Sequence, residues 1–134
     1  MSWGFFYFLY IYEMNKRSKK GQQMQQRIAK TYQIMAESKE HKCTGCGRWY
    51  NEVPLSHSHI IPRSRRADLA ATYENITYHC MSMGGNIGCH DVWDNGSPEE
   101  KQMLMDYAEN MDYIRKTDKE YYNLLKLKEI NFRI

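Results

Sequence analysis

Nothing in this chain reads as a membrane span. Crossing a bilayer takes roughly 20 apolar residues, and the strongest candidate, Trp3 to Tyr12, offers only ten. That run also lacks the basic start and small-residue cleavage site of a secretory leader. A cytoplasmic location with no membrane span is therefore expected. Cysteine is scarce, with four residues in 134. Without an export signal, a bound metal explains them better than two disulfides do. Net charge is small too, at +3. Internal repeats and low-complexity tracts are missing, so the length points to one domain.

The charge is unevenly spread. Residues 14–66 carry 12 Lys/Arg against 3 Asp/Glu, whereas residues 67–134 carry 7 against 12. The first half suits a polyanionic partner and the second does not. Three readings of the aromatic run at 3–12 stay open: a docking segment, an interfacial anchor, or a stretch preceding a true start at Met14. The polar opening MNKRSKKG favours the third.

Four regions follow from the pattern. Residues 1–22 form an apolar then basic tail, flexible up to Gly21. Residues 23–42 form a leading helix, with Met24, Ile28, Tyr32 (or Thr31) and Met35 at helical spacing. Residues 43–96 form a core, and residues 97–134 a helical extension. Within the core, a strand is expected around 55–61, ended by Pro62. Residues 73–80 lead back as strand or turn, 81–88 are a glycine-rich excursion, and 89–94 open a short helix. Ser97-Pro98-Glu99-Glu100 is a capping box. It predicts a helix from 98 to about 115, with Asp118 to Leu127 as a second helix or its continuation.

Cys43 and Cys46 have the two-residue spacing of a metal knuckle. Cys80 and Cys89 form a second pair, separated by eight residues. Their chain can still converge on one ion if 81–88 loops outward. Four thiolates fill the tetrahedral shell of Zn²⁺, which makes the site structural. His41, His79 and His90 are rival ligands, with His79 better suited to packing.

Between the pairs lies Ser56-His57-Ser58-His59-Ile60-Ile61-Pro62, followed by Arg63-Ser64-Arg65-Arg66. Taken in order, Cys43-x2-Cys46, Ser58-His59-Ile60-Ile61-Pro62, Glu74-Asn75-Ile76, Cys80 and Cys89-His90-Asp91-Val92-Trp93-Asp94 resemble the HNH endonucleases. The match spans residues 43–94, under half the chain. The resemblance implies a small α+β fold: a ββα-metal (His-Me finger) core stapled by zinc and flanked by N- and C-terminal helices. It implies a metal-dependent DNA endonuclease with His59 as general base. It places Asn75 where the family's asparagine orients the base, and His90 beside the scissile phosphate or the metal. Asp94 stands where the family commonly closes the metal site with histidine or asparagine. Ser58 stands where the family commonly has an aspartate or histidine ligand.

Asp94, as a hard carboxylate suited to Mg²⁺ or Mn²⁺, compensates for Ser58. His57 shares a strand face with His59, which makes it a second candidate ligand or a half-buried strand residue. Arg63, Arg65 and Arg66 are candidates for gripping phosphates, and Lys16, Arg17, Lys19 and Lys20 for a flexible arm on the DNA backbone. No recognition helix is evident, so binding without sequence preference is expected. The acidic C-terminal helices should face away from DNA or bind a phage or host protein. That last context rests on resemblance to small phage-borne members. Rival accounts are a catalytically decayed zinc-containing DNA-binding module, for which Ser58 speaks, or an adaptor.

Overall fold

A computed structural model describes residues 18–133. The expectations for 1–17 lie outside the described residues. Helix α1 (Lys19–Ser38) begins earlier than its apolar spacing suggests, because Ser18 caps it by accepting the Gly21 N–H. The stretch expected as the end of a flexible arm is thus its first turn. Ile28, Thr31 and Met35 form its buried stripe.

Two antiparallel strands follow, β1 (Leu55–His59) and β2 (Ile76–Cys80), paired with Ser58 opposite Thr77 and His59 opposite Ile76. Strand β1 stops two residues before its expected end. Asn75 takes over there, accepting the Ile61 N–H at 2.8 Å and donating to the Ile61 and Leu69 carbonyls. Short 3₁₀ turns cover Ala67–Leu69 and Tyr73–Asn75. Helix α2 (Cys89–Asn95) packs back on β2, and its Trp93 indole donates to the Ile60 carbonyl.

The capping box at Ser97 and Glu100 forms as expected. The helix it starts does not run to 115. Helix α3 (Pro98–Gln102) ends after five residues, and α4 (Tyr107–Thr117) starts afresh. Tertiary contacts break it: the Met105 N–H bonds to the Gly45 carbonyl of the cysteine knuckle, and Asp106 is drawn to His79 and Thr44. Asp118 then accepts the Tyr121 N–H and opens α5 (Lys119–Arg133).

The result is a small α+β unit with a two-stranded sheet and five helices among the described residues. One core gathers Cys43, Ile61, Cys80, Cys89, Trp93, Met111 and Ile114; a second joins Met35 of α1 to Ile76 and Tyr78. No helix among the described residues is long and apolar enough to cross a membrane.

Candidate metal centre and active-site cleft

Folding brings all four cysteines together. Their sulfurs lie within 4.8 Å of one another, and Cys46 Sγ is 3.8 Å from Cys80 Sγ. Four sulfurs at tetrahedral corners, each about 2.3 Å from one ion, stand about 3.8 Å apart, so the spacing fits Zn²⁺. All four are free thiols.

Hydrogen-bond donors point at three of the four sulfurs. The Cys80 N–H donates to Cys43 Sγ at 3.2 Å, the Cys89 N–H to Cys80 Sγ at 3.3 Å, and Arg48 Nε to Cys46 Sγ at 3.4 Å. Hydrogen bonding from Cys89 holds the Cys43 thiol far below its usual ionisation range. The same bond pushes Cys89 up, and burial pushes Cys80 up. Four thiols so close cannot all ionise alone, and a divalent cation removes that conflict. Gly45 is required beside them, because a β-carbon there would stand 2.8 Å from Cys89 Cβ and 2.9 Å from Cys89 Sγ.

A second feature is a cleft of about 890 Å³. His59, Arg63, His90, Asp94, Lys101 and Lys128 line it, above an apolar floor that includes Trp93, Met111 and Leu125. The His59 Nε2 lies 2.9 Å from the Ala70 carbonyl. A carbonyl only accepts, so in the neutral ring Nε2 carries the proton and Nδ1 keeps its lone pair. Asn75, fully buried, holds this arrangement by clipping Ile61 to Leu69, one residue before Ala70.

In the same cleft, His90 and Asp94 stand one turn apart on α2, with His90 Nε2 3.3 Å from Asp94 Oδ2. Adjacent ligands of an octahedral cation with bonds near 2.1 Å are about 3 Å apart, so the pair has a usable bite. Burial, then the charge of Lys128, lower the Lys101 pKa. The Asp94 and Glu129 carboxylates, which also line the cleft, act in the opposite direction.

Other sequence candidates go elsewhere. Ser58 is fully buried on the opposite face of β1, 2.9 Å from His79 Nδ1. His79 Nε2 in turn meets Asp106 Oδ2 at 2.8 Å, and Thr44 donates to the same oxygen. Ser58 therefore serves a buried polar network and does not reach the cleft. His57 stacks flat on Tyr32 of α1, with centroids 3.6 Å apart and planes 6° apart. Burial, then the charge of His59, lower its pKa. Arg65 pairs with Asp118 at 3.2 Å, and Arg66 forks onto Asp68 at 2.9 and 2.8 Å. These acids already satisfy both arginines, so only Arg63 of the three lines the cleft. The sequence reading missed Lys101, Lys128, Asp106 and the Ala70 carbonyl. No local pattern in the sequence points to these four, because their partners are distant in the chain.

Comparison with protein-family models, curated proteins and solved structures returns no match for this chain.

Asn75→Ala removes partners from three backbone groups near His59. Each buried polar group left unpaired costs roughly 1–3 kcal/mol, so a total loss of about 3 kcal/mol or more is expected. Urea unfolding at matched zinc content measures it. Wild-type stability would show that the loop holds itself.

Proposed function

We propose that the protein is a zinc-stapled, metal-dependent DNA endonuclease of the ββα-metal type. The observation that carries this reading is one cleft lined both by a histidine with a free ring nitrogen and by a histidine–carboxylate pair. The order β1, β2, α2, closed by four clustered cysteines, supports the same class. Zn²⁺ at the cysteines would be structural, since four thiolates leave no open position.

The reaction is hydrolysis of a phosphodiester. Water attacks phosphorus, a P–O ester bond breaks, and the water proton passes to His59 Nδ1. The Ala70 carbonyl keeps the ring oriented, and Asn75 keeps that carbonyl in place. Arg63, Lys101 and Lys128 supply positive charge for the phosphate. His90 and Asp94 would hold a Mg²⁺ or Mn²⁺ ion, which supplies Lewis acidity and stabilises the leaving oxygen. Two protein ligands suffice because Mg²⁺ retains waters in its remaining positions.

The test is nicking of supercoiled plasmid by zinc-loaded protein stripped of weakly bound metal. Added Mg²⁺ or Mn²⁺ should start cutting and EDTA should stop it. A protein that binds DNA in a salt-sensitive way but never cuts would be a binding module instead.

A further inference from the structure

The cations that the cleft does not use are not evenly distributed. In the C-terminal half Arg115 and Lys116 pair with Asp112 and Lys126 with Glu129, while Lys119 has no ion pair among the described residues. Arg65 and Arg66 are likewise matched. Helix α1 gathers the unmatched cations in one place. It carries Lys19, Lys20, Arg27 and Lys30, all exposed, with Glu37 as its only acid. None of the four has an ion-pair partner among the described residues. At 3.6 residues per turn these four fall within an arc of about 100°.

That arc borders the buried stripe on its Thr31 side, and here the helix is anchored to the catalytic loop. Thr31 Oγ1 donates to the Ala71 carbonyl at 2.6 Å, next to the Ala70 carbonyl that orients His59. The Tyr32 ring lies flat on His57, two residues before the base. So α1 is tied at two points to the segments on either side of His59, with its basic flank exposed. Lys20 to Lys30 spans about 15 Å at 1.5 Å per residue, long enough to follow several phosphates of one strand.

We infer that the exposed basic flank of α1 is a docking surface for the phosphate backbone of duplex DNA, laying it across the mouth of the cleft. This extends the endonuclease reading, on which its choice of partner rests. The contact is independent of base sequence, because lysine and arginine on phosphates position the duplex without reading it.

The test compares wild type with Lys20→Gln/Arg27→Gln/Lys30→Gln by fluorescence anisotropy on a 20-base-pair duplex. Divalent metal is left out so that cutting does not intervene. Glutamine keeps the helix, which circular dichroism checks. A control, Arg115→Gln/Lys116→Gln/Lys119→Gln, removes equal charge from the far end of the chain. The α1 variant should bind at least tenfold more weakly at 0.1 M salt. Its slope of log affinity against log salt should fall by about 2 to 3, near 0.9 per lost phosphate contact. The control should change affinity less than threefold. Unchanged binding in the α1 variant, or equal weakening in the control, would overturn the proposal. So would α1-dependent binding to phosphatidylserine vesicles with none to duplex, which would give the face to a membrane surface. Wild-type protein that binds through α1 but never cuts leaves this proposal standing while the nuclease reading falls.

Discussion

Cys43→Ser is expected to abolish zinc binding and cooperative unfolding together. Cys43 is fully buried in the larger core, and its sulfur accepts the Cys80 N–H. The knuckle is also where distant parts of the chain meet: Thr44 bonds to Asp106, and Gly45 to Met105. Losing the ion therefore loosens the junction of β2, α2 and α4, not one loop. Zinc binding energy in such sites is folding energy, on the order of 10 kcal/mol. A domain's whole stability is about 5–15 kcal/mol. Elemental analysis should find under a tenth of the wild-type zinc, and the thermal melt should lose its sigmoid form. A variant that melts like wild type without metal would show that apolar packing alone holds the fold.

His59→Ala should have the opposite profile, a large loss of activity on an intact scaffold. General-base catalysis by a positioned side chain contributes about 10²–10⁴-fold, and single-turnover nicking should fall within that range. The structural cost is small, because His59 is half-buried and gives up one hydrogen bond, to Ala70. Zinc content and melting temperature should stay near wild type. His57→Ala is the matched comparison, two residues away and packed on Tyr32 instead of lining the cleft. It should retain cleavage within about tenfold. Equal losses in the two variants would move the effect from the base to the strand.

Local signals were the legible part of this sequence. The capping box at Ser97, the buried stripe of α1 and the strand beginning at Leu55 all rest on neighbours in the chain. The cysteine cluster was legible for a different reason: few residue types bind soft metals, and four of them bracketed one strand. His90 and Asp94 entered through the family resemblance, and their i, i+4 spacing sets them on one face of α2. Ser58 was not legible, because neighbours on a strand face opposite ways. If His59 opens to the cleft, Ser58 must turn to the other face, where His79 takes it. Arg65 also escaped, since its partner Asp118 lies 53 residues away. The break between α3 and α4 has the same origin, in contacts from Gly45 and His79 that no local pattern announces.

The claim beneath the whole account is that a divalent cation and the His59 imidazole share one cleft. Titrating paramagnetic Mn²⁺ into zinc-loaded protein while watching the histidine ring-proton resonances tests this directly. The His59 and His90 signals should broaden first, well before that of His41, which bonds to Ala36 at the end of α1. Asp94→Ala should remove the effect. Broadening that spreads equally over all the histidines, or that leaves His59 sharp while another broadens, would contradict it.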